Sequence, residues 1–226
     1  MTTFMRDAFS SVGQKYAMAL TGLALYGFAV GHTAGNLNAY LGQDAMNAYA
    51  AGLKSMGPLL WIARIGLLVV FIVHVVTAIR LNMANRAARP VPYAQKKSIN
   101  ATFASRTMII SGVVLLLFIG YHLLHFTFHQ VGGDIFGRVD SLGRPDVQYM
   151  FVMGFKNPAA SLLYIVGNVL LGFHITHGFQ SLFQSLGFNH SRYTPCIKSI
   201  ATALGWGLAA INISFPVSVM LGVITV

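Results

Sequence analysis

Four histidines, His32, His74, His122 and His174, each lie inside a separate apolar stretch of the chain. An imidazole held at membrane depth is costly and marks function by default. Two imidazoles can ligate one haem iron from opposite faces, because the porphyrin supplies the other four donors. A zinc or copper site would instead need three or four ligands at one depth, often with carboxylate or cysteine among them. The chain has a single cysteine, Cys196, so it can form no intrachain disulfide and no cysteine-ligated cluster of its own. Four histidines that can meet in pairs therefore point to two bis-histidine b haems and one-electron chemistry.

Helices must position these side chains. The 226 residues are 55% hydrophobic and 9% charged, with a mean hydropathy of +0.65. Soluble proteins carry roughly 25% charged residues, so most of this chain faces lipid or a bundle core. A spanning helix needs about 20 apolar residues. Five stretches qualify: Lys15 to Leu37, Leu59 to Ala84, Phe103 to Phe128, Pro158 to Leu186 and Ile200 to Val223. The connections, among them GQDAMNAY, ANRAARPVPYAQKKS, GGDIFGRVDSLGRPD and FNHSRYTPC, carry the polar and turn residues. The expected fold is one all-α membrane domain over residues 1–226, a five-helix bundle enclosing two b haems.

The net charge of +10 does not read as a nucleic-acid footprint, because the basic residues gather at the ends of apolar runs. One side holds Arg6, Lys15, Arg80, Arg86, Arg89, Lys96, Lys97, Arg106, Arg192 and Lys198, and the other holds Lys54, Arg64, Arg138, Arg144 and Lys156. Four of the five acids share that second side. The positive-inside rule then places the N-terminus in the cytoplasm and the C-terminus outside; the expected location is a bacterial inner membrane. The Arg86-to-Lys97 cluster is a topology anchor on anionic lipid or a docking surface for a soluble partner.

At about 1.5 Å per residue, His32 and His122 lie about 26–28 Å from the inner face, and His74 and His174 about 15–18 Å. This gives an outer pair, His32 with His122, and an inner pair, His74 with His174. Gly27, Gly31, Gly112, Gly120, Gly167 and Gly172 lie near them. Such small residues either admit a flat macrocycle or pack helix on helix. His125 and His177 are one turn from His122 and His174, and His129 is near the outer boundary. These three are candidates for propionate, quinone or interfacial contacts. Arg64 is a candidate propionate partner at the outer level, with snorkelling as its alternative. Lys15, Ser105, Arg106 and Arg80 are candidates at the inner face. His190 sits in a polar loop.

The stretches GQKYAMALTGLALYGFAVGH, LLWIARIGLLVVFIVH, ASRTMIISGVVLLLFIGYHLLHF and LLYIVGNVLLGFHITHGFQSLFQSLGF resemble the cytochrome b subunit of succinate:quinone oxidoreductases, in its five-helix, two-haem form. The resemblance covers nearly the whole chain. It implies axial ligands at His32, His74, His122 and His174, with the first span paired to the third and the second to the fourth. It also implies a flavoprotein with covalent FAD and an iron–sulfur protein on the cytoplasmic side. Electrons from succinate would pass through both haems to a membrane quinone, with menaquinone favoured; some members run in reverse as fumarate reductases. Certain members carry a glutamate just before the fourth ligand, where this chain reads LLGFH with Gly172. Two rival readings are a nitrate-reductase-like anchor, whose ligands lie on only two helices, and a haem-free transporter with a histidine pathway.

Overall fold

The computed structural model describes residues 10–88 and 106–226. In chain order the elements are α1 (Ser11–Asn36), a 3-10 turn (Leu37–Leu41), α2 (Gln43–Ser55), α3 (Pro58–Ala87), α4 (Met108–Phe126), α5 (Val147–Lys156), α6 (Pro158–Ser185) and α7 (Thr194–Met220). Helices α1, α3, α4, α6 and α7 are long and apolar enough to cross a membrane. Among the described residues there is no strand, only an isolated bridge between Val139 and Pro145. The chain is an all-α, multi-pass membrane protein.

Local chemistry moves the helix ends from where apolar runs alone would put them. Helix α1 starts at Ser11 rather than Lys15 because the Ser10 hydroxyl accepts from the Gly13 N–H at 3.1 Å. Helix α6 starts at Pro158 as expected, with Asn157 capping Ala159 and Ala160. Helix α7 starts at Thr194, six residues before Ile200, because Pro195 in its first turn loses no needed N–H. Helix α4 is shorter than the expected span from Phe103 to Phe128. At its end the Phe128 N–H turns back onto the Leu123 carbonyl at 2.7 Å, and residues 103–105 lie outside the described segments.

One connection expected to be polar is helical, GQDAMNAY, which opens α2. GGDIFGRVDSLGRPD is non-helical, and the residues after it form α5, whose first turn Asp146 caps by accepting from Tyr149 N–H at 3.1 Å. Polar residues misled because these helices are amphipathic and lie across one end of the bundle. Their apolar faces, with Met46, Phe151, Val152 and Phe155, join Ala39, Tyr164, Phe215, Val219 and Ile224 in a hydrophobic cluster.

The polar side of this cap is knitted around Asn47, which has no exposed surface. Its amide donates to Asp140 and Asp146, each at 3.2 Å, and its carbonyl oxygen accepts from Gln148 N–H at 3.0 Å. Arg144 bridges Asp140 and Asp44, both at 2.8 Å. Burial pushes the Asp140 carboxyl up, but hydrogen bonds from Arg144, Asn47 and Leu142 outweigh it and hold the group down at about 2. A depressed folded value means that this contribution is complete above the ordinary carboxylate range near 4 and is lost as pH falls towards about 2. Asp140→Asn is therefore expected to lower thermal stability at neutral pH. The gap from wild type should narrow through that acid window, as read by melting curves at a series of pH values.

The spans are held together unevenly. Helix α6 is the hub, packing on α7 most extensively and also on α1 and α4, whereas α3 leans on α1. The α1–α4 and α3–α6 pairs, which carry the histidine pairs, are not among the closely packed ones.

Candidate functional site

His32 ends up near the C-terminal end of α1 and His122 near that of α4, and their ring centroids lie 5.7 Å apart at an interplanar angle of 84°. Two imidazoles facing one metal across bonds of roughly 2.0–2.1 Å keep their ring centres about 6 Å apart. His32 stacks on Phe28 at 5.5 Å, while Nδ1 of His122 meets the Tyr164 hydroxyl at 3.2 Å. That single hydroxyl also meets Nδ1 of His125 at 3.2 Å.

His74 and His174 occupy the middles of α3 and α6. Nδ1 of His74 meets the Thr21 hydroxyl of α1 at 3.1 Å, and Nδ1 of His174 meets the Ser111 hydroxyl of α4 at 3.3 Å. Thr21 precedes His32 by 11 residues, so the contact with Thr21 places the two histidine levels about 16 Å apart along α1.

The neighbouring glycines divide into two groups. A Cβ at Gly27, Gly31 or Gly120 would meet nothing within 4 Å, so these positions beside His32 and His122 leave the helix backbone open to a flat group. Gly167 and Gly172 instead serve helix packing. A Cβ at Gly167 would strike the Phe118 ring at 2.6 Å, and one at Gly172 would meet Ala209 at 3.1 Å and Trp206 at 3.3 Å. Gly172 thus faces α7, and a larger side chain there would have to displace Ala209 and Trp206 by a few tenths of an ångström. Paired imidazoles, open backbone beside them and helix pairs held apart are what a bis-histidine macrocycle requires.

The family model of the succinate dehydrogenase/fumarate reductase transmembrane subunit matches residues 85–211. The chain belongs to that family. The match runs from the end of α3 into α7 and contains His122 and His174; His32 and His74 precede it. No curated protein and no solved structure matches the chain. Membership makes the chain the transmembrane subunit of a succinate dehydrogenase/fumarate reductase oxidoreductase complex.

Within this family member the remaining candidate residues separate by position. His125 is 1% exposed, stacked on Phe126 at 4.1 Å and walled by Gly132 and Gly154. It belongs to the aromatic floor between α4 and the cap. His177 bonds Ser181 one turn along its own helix at 3.1 Å. His129 has a φ of 56° and stacks on Phe136 at 4.4 Å in the loop after α4. Arg64 is exposed, its guanidinium 5.3 Å from the Trp61 ring centre, the arrangement of a snorkelling residue on an aromatic anchor. Lys15, Arg80 and Arg106 are exposed on the N-terminal-tail side of the bundle, His190 is exposed between α6 and α7, and Ser105 lies outside the described residues. The hydroxyls of Thr21, Ser111 and Tyr164 escaped sequence reading because a helical Ser, Thr or Tyr gives no signal until its partner across the helix pair is known.

Proposed function

We propose that the chain is the two-haem cytochrome b anchor of a succinate:quinone oxidoreductase, linking an iron–sulfur partner to membrane quinone. The observation that carries this reading is the placement of four histidines as two pairs at two levels, across the α1–α4 and α3–α6 pairs, in a member of this family. His32 and His122 would hold one b haem, and His74 and His174 the other. Each haem, when bound, supplies a one-electron Fe(III)/Fe(II) couple.

The chain's own residues do the rest. The imidazoles would hold the irons, and the open positions at Gly27, Gly31 and Gly120 would leave room for the group beside α1 and α4. The lipid-facing walls exclude water. The basic N-terminal-tail side faces the cytoplasm by the positive-inside rule and receives the flavoprotein and iron–sulfur subunits, with FAD and the clusters residing in those partners. Ligands on four separate helices favour this reading over a nitrate-reductase-like anchor. Menaquinone is the favoured quinone, and Lys15, Arg80, Arg106 and Ser105 are the candidates for propionate or quinone contact at the cytoplasmic side.

The test is purification of the tagged chain from its native membrane. The expected result is a complex holding a flavoprotein with covalent FAD and an iron–sulfur protein, which reduces quinone with succinate. A chain that purifies without such partners, or a complex inert to succinate and fumarate, contradicts the proposal.

A further inference from the structure

Helices α1 and α4 carry the same spaced signature. Thr21-Gly22, then Phe28, then His32 on α1 matches Ser111-Gly112, then Phe118, then His122 on α4, with identical intervals. In each helix the hydroxyl precedes the histidine by 11 residues, which is three turns plus about 20°, so both lie on one face about 16 Å apart. The phenylalanine, one turn before the histidine, contacts its ring in both helices, with centroids 5.5 Å apart in α1 and 6.4 Å in α4.

The hydroxyl–glycine step does the same thing twice. Thr21 Oγ1 donates to the Ala17 carbonyl at 2.6 Å, and Ser111 Oγ donates to the Met108 carbonyl at 3.0 Å. With its hydrogen spent inside its own helix, each hydroxyl turns a lone pair to an imidazole Nδ1 from the neighbouring helix, His74 or His174. The adjoining glycine lets the ring lie against the backbone. An added Cβ would sit 3.4 Å from Cε1 of His74 at Gly22 and 3.6 Å from Cε1 of His174 at Gly112. An Nδ1–H that donates sets the tautomer and leaves the Nε2 lone pair for a metal.

We propose that Thr21-Gly22 and Ser111-Gly112 are paired seats that orient His74 and His174 as iron ligands, so that α1 and α4 each ligate one haem and position the ligand of the other. Thr21 and Ser111 are positioning residues. The seats rest on the two-haem reading above. By accepting a hydrogen bond from Nδ1–H they make each imidazole a stronger donor, which favours the ferric state and lowers the potential of the His74–His174 haem.

The test is potentiometric titration of the assembled complex, with the low-spin EPR signal of each haem recorded alongside. Thr21→Val and Ser111→Ala are each expected to raise the potential of the His74–His174 component. The expected change is up to tenfold in the oxidised-to-reduced ratio, about 59 mV for a one-electron couple. The His32–His122 component should stay in place. Thr21→Ser and Ser111→Thr should restore the wild-type value. If Val or Ala releases that haem outright, retention in the hydroxyl-bearing variants supports the seat. Two haems with unmoved potentials overturn the seats, as does a shift in the other component or conservative variants that behave like Val and Ala. A wild-type complex without any b-haem band overturns the two-haem reading itself, an outcome visible before any variant is made.

Discussion

His122→Ala and His32→Ala are each expected to strip the same haem from the complex, taking the haem-to-protein ratio from two to one. His74→Ala and His174→Ala should each strip the other. Loss of a direct ligand should weaken retention by more than the roughly 10–100-fold that loss of an outer-shell partner costs. The pairing follows from the 5.7 Å approach of the His32 and His122 rings and from the contacts of His74 with Thr21 and of His174 with Ser111, each 11 residues before that pair on α1 and α4. His125→Ala is the informative contrast. His125 shares the Tyr164 hydroxyl with His122 but is enclosed by Phe126, Gly132 and Gly154, so its removal should leave both haems bound. Haem absorbance per mole of protein reads all five variants.

The second large effect is mechanical. Gly205→Leu is expected to separate α7 from α6 and sharply reduce the yield of intact complex. A Cβ at Gly205 would lie 2.7 Å from the Gly172 carbonyl oxygen and 3.0 Å from the Thr176 nitrogen, both backbone atoms that cannot swing aside. Overpacking a fitted contact costs about 1–3 kcal/mol and sometimes more, and lipid offers no hydrophobic drive to hold the helices together in compensation. Helix α7 would also lose register for the bond from Thr33 to Asn212 at 3.0 Å and for those joining Tyr40 to Ser214 and Ser218. Gly207→Leu is the control, since a Cβ there meets nothing within 4 Å. Thermal inactivation of the two variants should differ widely; equal stability would contradict this packing account.

The four histidines were legible in the chain because an imidazole in an apolar run has a cost that demands a reason. Their grouping into levels was also legible, because alternating spans turn residue number into depth. The separation of the levels was not. Counting from assumed span ends implies about 10 Å, whereas the contact between Thr21 and His74 implies about 16 Å. The error lies in treating each apolar run's first residue as the membrane face, which the cap at Ser10, starting α1 at Ser11 rather than Lys15, shows it is not.

Helices α2 and α5 were hidden for a related reason. Their lengths fall short of a span, and Asn47, Gln148 and Asp146 look like loop residues until the buried network they form is seen. The glycines could not be sorted from sequence either. Gly31 opens beside His32 and Gly172 packs against a helix, and only the direction of the missing Cβ tells them apart.

The central claim is two haems at two levels, each gripped by one histidine pair. Potentiometric titration of the purified complex, followed at the b-haem α band in wild type and in the four ligand variants, tests it most directly. The account predicts two one-electron steps, with His32→Ala and His122→Ala erasing one and His74→Ala and His174→Ala erasing the other. A single step, no α band, or one step erased by both His32→Ala and His74→Ala would contradict it.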